Sequence, residues 1–290
     1  MGEFYALSCA LVWAGAVIFF RKSGESVPPF TLNFFRVSIS SLMFLASLAA
    51  MGRPLLNQGS WTDILILMAS GVISIAVSDT FFHMCLNRVG AGLNAIVSSL
   101  YSPFIVLFAF FMLGEKLGVR QFAGMGLIIG GVLVASRSKP PAGTNRRTLV
   151  TGILYGMLAM ATLGFGIVLA KPVLTRSDVL WATTVRQLGA WVAMILVLFF
   201  RKDRRLVLEV FRPNPAWRFS LPGTVLGSYV ALILWIAGMK YTATGTAGIL
   251  NQSSTLFILI LATWILKEPF SRRKGASVFL TLGGILLTLV

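Results

Sequence analysis

Charge, cysteine and histidine are scarce in this chain. Only 12% of its 290 residues are charged, nine of them acidic, and it has two cysteines and a single histidine. One histidine and two cysteines that both sit inside apolar runs, Cys9 and Cys85, supply neither a His/Cys metal spacing nor a disulfide framework. There is no glycine-rich phosphate loop closed by Lys-Ser/Thr and no nucleophile elbow. The reading is therefore of a protein with no catalytic residues, no metal and no cofactor. The acidic deficit leaves a formal net charge of +16. In a soluble chain that would suggest nucleic acid. Here all Lys and Arg except Arg36 and Arg186 fall in loops or at helix ends, so the expected partners are anionic lipid headgroups and not nucleic acid.

What the chain has in abundance is apolar length. Hydrophobic residues make up 57% of it and the mean hydropathy is +0.85, outside the range of a soluble domain. Its apolar runs approach the roughly 20 residues that a bilayer core requires. Ten spans are predicted, over 4–20, 30–51, 64–86, 94–113, 122–136, 149–170, 179–200, 221–239, 248–266 and 275–290. The first run lacks a basic leader region and is followed by further runs, which marks it as a retained helix and not a cleaved signal peptide. The basic stretch 201–218 reads either as a membrane-surface segment with Trp217 among the headgroups or as a solvated loop.

The chain also repeats itself. Adding 153 to a residue number carries Gly92 to Gly245, Glu115 to Glu268, Arg120 to Arg273, and Gly130 and Gly131 to Gly283 and Gly284. Upstream, at offsets near 150, Arg36 matches Arg186, Gly15 matches Gly164 and Lys22 matches Lys171. Residues 1–136 and 149–290 form the two copies, joined by a linker over 137–148 rich in proline, glycine and basic residues. Five is odd, so the second copy must enter the membrane from the opposite side, giving an inverted repeat. Gly126, Gly130, Gly131, Gly283 and Gly284 are expected to let the fifth and tenth spans approach closely.

Charges at membrane depth are costly enough to need partners or a wet cavity. Arg36 and Asp79 lie at similar depths in neighbouring antiparallel spans, and His83 follows Asp79 on the same helix face. They read either as a group that binds solute or moves a proton, or as a structural ion pair beside a hydrogen-bonded histidine. Arg186 faces no such acid, since the position matching Asp79 is Leu232. Glu115 and Glu268 sit at opposite rims, Glu115 nearer Arg186 and Glu268 nearer Arg36, so a pairing across the repeat is open.

Polar residues gather in the fourth and ninth spans: Asn94, Ser98, Ser99, Tyr101 and Ser102 in one, Asn251, Gln252, Ser253, Ser254 and Thr255 in the other. They fit a solute cavity, the alternative being interhelical glue. Pro103 frees a carbonyl in the first cluster. Trp13, Tyr101, Tyr229 and Trp235 are candidate walls for an apolar or aromatic solute. The expected site thus places Ser98, Ser99, Tyr101, Asn251, Gln252, Trp13, Tyr229 and Trp235 on solute, and Arg36, Asp79, His83 and Arg186 at a gate or coupling group.

With its GEKL…RQ…G…GG pattern from Gly114 onward and an arginine in the second span of each half, the chain resembles the EamA-type permeases of the drug/metabolite transporter superfamily. The second copy departs from the pattern, with Lys267 matching Gly114 and Leu256 matching Pro103. The resemblance implies an all-α integral membrane protein of ten helices, two inverted five-helix repeats around a central cavity. It also implies secondary transport of a small metabolite, amino acid-like or drug-like, with export as the expected direction and a bacterial inner membrane as the location. A monomer or homodimer would suffice. Its cytoplasmic termini conflict with the loop charges, which concentrate so as to put both termini outside. A membrane enzyme acting on lipid-linked substrate, or a scaffold that transports nothing, are the competing classes.

Overall fold

The computed structural model describes residues 2–55, 59–114, 118–136, 145–241 and 250–289. Glu115 and residues 137–144 of the expected linker lie outside the described residues. Described residues are helical throughout their regular structure, with no strand among them. In chain order the long helices are α1 (Gly2–Ser23), α2 (Pro29–Ala50), α3 (Trp61–Val89), α4 (Ala91–Leu113), α5 (Val119–Ser136), α6 (Arg146–Leu174) and α7 (Val179–Phe200). Then α8 runs as Trp217–Gly223, Thr224–Val230 and Ala231–Tyr241, followed by α9 (Ser254–Trp264) and α10 (Arg272–Leu289).

Eight of these segments, α1 to α7 and Trp217–Gly238 of α8, are long and apolar enough to cross a membrane. This is fewer than the ten spans predicted. Helix α9 is described over only 11 residues, and α10 carries Arg272, Arg273 and Lys274 in its first turn. Polarity is arranged inside-out relative to a soluble protein: Phe111, Phe199, Phe200 and Phe279 face outward while Asn33, Arg36, Thr184 and Arg186 are buried. Outward apolar faces suit lipid, and buried polar groups find partners only inside the bundle.

Each start and stop has a local cause. Pro29 opens α2 at a position where a missing N–H costs nothing. Ser60 and Asp63 cap α3 reciprocally, and the Asp178 carboxylate accepts from the N–H groups of Leu180 and Trp181 to start α7. Helix α4 ends at Gly114 with φ +68, and the matching position in the second copy, Lys267, adopts φ 55. The same left-handed turn is thus kept in both copies although only one has the glycine that favours it.

The two copies pack by exchanging equivalent neighbours. Helix α1 lies along α8 and α6 along α3; α1 also meets α9, and α6 meets α4. Helices α5 and α10 lie against each other. There a Cβ on Gly131 would come within 2.7 Å of Thr281 Cγ2, and one on Gly284 within 2.5 Å of the Gly124 carbonyl oxygen. Gly126, Gly130 and Gly283 do not share this role, since a Cβ on any of them would meet nothing within 4 Å. Both third helices contain a π turn, Val72–Val77 in α3 and Thr224–Val230 in α8. Such a turn widens a helix locally and turns successive side chains by a different angle.

Candidate functional site

The arginine of α2 is fully engaged. Arg36 Nη2 lies 3.0 Å from Asp79 Oδ2 of α3. Its Nε donates to Ser228 Oγ in the α8 π turn at 2.7 Å, and Nη1 bonds His83 Nε2 at 3.3 Å. A guanidinium only donates, so Nε2 accepts and the imidazole hydrogen sits on Nδ1. The His83 ring packs edge-on against Phe20 and Phe82, with centroids 5.1 and 5.6 Å away. Phe20 also lies beneath the Arg36 guanidinium, 5.2 Å from ring centroid to Cζ.

The matching arginine of α7 has a different shell. Arg186 Nε donates to Ser70 Oγ at 3.1 Å and Nη2 to Ser74 Oγ at 2.8 Å, both on α3. Those hydroxyls spend their own hydrogens on the carbonyl oxygens of Gly166 and Ser70 at 2.6 Å, which leaves their lone pairs for the arginine. Arg186 Nη1 is buried without a hydrogen-bond partner, and so is the Tyr101 hydroxyl. Each arginine therefore reaches a serine in the π turn of the other copy's third helix, but only Arg36 meets an anion.

Between the copies lies a cavity of about 170 Å³. Its lining comes from α1 to α4, from α6 to α8, and from 251–254; no lining residue comes from α5 or α10. Of the residues expected at the site, Arg36, Asp79, Ser98, Tyr101, Arg186, Asn251 and Gln252 line it, as do Trp13 and Trp235. His83, Ser99 and Tyr229 are not brought to it. His83 and Ser99 are fully buried. Tyr229 turns its hydroxyl to Ser47 Oγ, 2.5 Å away, and lays its ring on Phe44. Ser102 receives a bond from Gln252 Nε2 at 3.3 Å, which joins the two polar clusters directly.

Ser74, Gln187 and Ser228 line the cavity as well, and sequence reading passed over them. The Ser70–Ser74 spacing in an apolar span was the available signal for one, and the neighbour of Arg186 for another. Gln187 Nε2 donates to Ser40 Oγ at 2.6 Å. Ser40 gives its hydrogen to the Arg36 carbonyl oxygen at 2.7 Å, so the amide oxygen of Gln187 is left without a partner. Among the described residues no group of three His, Cys, Asp or Glu side chains is placed to hold a metal ion.

The copies are tied together at both ends. At the end where α2 finishes and α7 begins, Arg53 meets Asp178 at 2.5 Å and Arg176 meets Asp63. Trp181 donates there to the Leu55 carbonyl at 2.7 Å. At the other end Ser23 and Ser220 share a hydrogen bond of 2.6 Å, and Phe211 packs on Phe34 and Phe35. Trp217 donates to the Val210 carbonyl at 2.7 Å and packs on Phe35, pinning the basic loop to the bundle. These contacts make it a staple within the protein, a role that neither the membrane-surface nor the solvated-loop reading of 201–218 included. Glu268 does cross between copies, yet not to Arg36: its two oxygens accept from the N–H groups of Ala91 and Gly92, at 2.7 and 3.0 Å, and so cap α4.

Compared with known proteins, residues 1–137 and 150–290 both match the family model described as "EamA-like transporter family". An "Uncharacterized transporter" of Archaeoglobus fulgidus is 26% identical over 98% of this chain and 96% of its own length. A "Probable amino-acid metabolite efflux pump" of Escherichia coli is 24% identical over 67% of this chain and 60% of its own. A solved crystal structure superposes with a TM-score of 0.69 at 19% identity, covering 99% of this chain and 95% of the other.

Proposed function

Because the chain belongs to the EamA-like transporter family, we propose that it carries a small metabolite across the membrane by alternating access, as two inverted five-helix halves rocking about the central cavity. One observation carries this reading: the cavity is walled by equivalent helices of both copies, while α5 and α10 stay out of it and brace each other. A pocket shared by two such halves can change the end to which it opens without any helix unfolding. Ser98, Tyr101, Asn251 and Gln252 supply polar contacts to solute, and Trp13 and Trp235 supply apolar walls. Asp79, paired with Arg36 yet part of the lining, is the coupling group, exchanging its arginine for a proton or solute during the cycle.

The names of two relatives, the efflux pump above and a "GDP-fucose transporter" of Caenorhabditis elegans, support a metabolite as cargo. Export across a bacterial cytoplasmic membrane is the direction proposed. A monomer or a homodimer is the proposed working unit. Glu268, an acid that a membrane enzyme could have used, is already committed to capping α4.

Solute counterflow in proteoliposomes is the test. Vesicles preloaded with unlabelled metabolites are expected to accumulate labelled solute transiently; failure across amino acids, organic acids and sugars sinks the reading. Rocking has its own test, since Arg53→Cys with Asp178→Cys should cross-link the end they join and stop counterflow until a reductant is added. Unchanged dependence on a pH gradient in Asp79→Asn would remove the proton from the coupling scheme.

A further inference from the structure

We propose that the solute carries a net charge of −1: a carboxylate on an apolar, ring-bearing body, received by Arg186 Nη1 and the Tyr101 hydroxyl. This rests on the cavity being the transport site. Three charged side chains line it, Arg36, Asp79 and Arg186. Asp79 cancels Arg36 across 3.0 Å. Arg186 is 1% exposed and bonds only neutral serines, feeling Asp79 through space alone, so the lining keeps a net charge of +1. A buried guanidinium with an unfilled donor is unfavourable until an anion arrives.

The unfilled donors are matched. Nη1 of Arg186 and the Tyr101 hydroxyl are both buried and both unpartnered, on two residues that line the same cavity. Two such donors suit the two oxygens of a carboxylate. Apart from neutral hydroxyls and amides the lining is apolar, with Trp13, Phe82, Leu163 and Trp235 placed for a ring. A zwitterion carries no net charge and would leave the lining's net charge of +1, from Arg36, Asp79 and Arg186, uncancelled. A phosphate monoester brings a second negative charge with no cation to meet it.

The test uses purified full-length protein and five phenyl compounds of similar shape: 3-phenylpropionate, its amide, phenylalanine, phenethylamine and phenyl phosphate. Quenching of tryptophan fluorescence, with Trp13 and Trp235 in the lining, reads binding, and the thermal midpoint checks it. The propionate should bind about tenfold or more tighter than its amide, the gain of one charge-assisted hydrogen bond. Arg186→Gln should bind acid and amide about equally, and Tyr101→Phe should weaken the acid about threefold to tenfold, the share of one hydrogen bond. Amide binding in Arg186→Gln also shows that the variant is folded. No binding of the propionate, binding of phenylalanine, the phosphate or the amide as tight as the acid, or an acid preference that survives Arg186→Gln, overturns the proposal. Failure of counterflow with the acid still held through Arg186 would instead remove the transport reading and keep the anion site.

Discussion

Arg36 and Arg186 occupy the same place in two copies of one unit, and their surroundings have diverged. Both are buried, and both bond a serine in a π turn of the opposite copy. Arg36 adds a carboxylate and an imidazole, whereas Arg186 adds only Ser70 and keeps Nη1 unfilled. The cause is two positions, Asp79 and His83 in α3 against Leu232 and Ile236 in α8, of which only the first changes the charge. Both halves match one family model, yet Asp79 makes their electrostatics unequal. A closed ion pair contributes structure; an open guanidinium offers a place for something else.

The largest expected effect follows from stranding the paired arginine. Asp79→Ala leaves the Arg36 charge buried without its anion, which should cost about 3 to 5 kcal/mol of stability. Replacing both, as Arg36→Met with Asp79→Leu, should restore most of that loss. Arg186→Met should cost under about 1 kcal/mol, since the serines it abandons keep their bonds to Gly166 and Ser70. Denaturation in detergent, followed by circular dichroism, measures all three. Equal losses in Asp79→Ala and Arg186→Met would erase the distinction between the two sites.

Backbone spacing differs between the copies as well. A Cβ on Gly71 of α3 would sit 1.8 Å from the Arg186 carbonyl oxygen, backbone against backbone. At Gly223 of α8, just before the other π turn, the nearest atoms are side-chain carbons of Phe20 at 3.0 Å and Phe19 at 3.1 Å, which need give by only a few tenths of an ångström. Gly71→Ala should therefore cost about 3 kcal/mol or more and Gly223→Ala under about 1 kcal/mol. Propionate affinity should fall with the first and hold with the second, because only the first displaces Arg186.

How much of this was legible follows from the kind of information each feature needs. Apolar runs announce membrane helices because lipid tolerates little else, and the Arg36–Arg186 match shows in an ungapped comparison of the two halves. Side-chain direction is harder. The π turns at Val72–Val77 and Thr224–Val230 leave no composition signature, yet they bring Ser74 and Ser228 to the arginines. The span predicted over 149–170 stopped short at both ends of α6, which runs 29 residues, because the polar Arg146, Arg147 and Thr148 and the Lys171–Pro172 pair read as boundaries. Tyr229 was expected at the cavity because it is a polar aromatic at membrane depth; the partner that turns it aside, Ser47, is 182 positions away in sequence. Glu268 read as a rim carboxylate, since nothing local shows that the first turn of α4 comes to meet it.

A smaller effect lies in the turn that both copies share. Gly114 holds φ +68 without steric cost, while Lys267 holds φ 55 with a side chain that disfavours it. Lys267→Gly should raise stability by about 1 kcal/mol, and Gly114→Lys should lower it by a similar amount. Opposite shifts of the thermal midpoint would show that the second copy pays in strain for a residue the first does without.

The smallest effect separates the two ends of the bundle. Asp178 is partly buried, which works against its ionisation, but the Trp181 N–H, Arg53 and the Leu180 N–H together outweigh that and hold its carboxyl below the ordinary 3.8. A carboxyl held low in the folded state contributes stability above pH 3.8, and the contribution fades as pH falls through its folded value. Both partners are about a third exposed, 38% and 34%, so screening limits the contribution to under about 1 kcal/mol. Thiol labelling of Leu55→Cys, divided by that of a free thiol at the same pH because only the thiolate reacts, should therefore be flat from pH 7 to about 5 and rise only on further acidification. Salt at about 1 M should raise it at neutral pH, because the Debye length falls to about 3 Å. A cysteine at Phe34, where Phe211 makes the contact between copies, should respond to neither, since an aromatic contact has no charge to screen or protonate. Matching responses at the two ends would mean that the ion pairs do not hold this end shut, and that the copies are joined by packing alone.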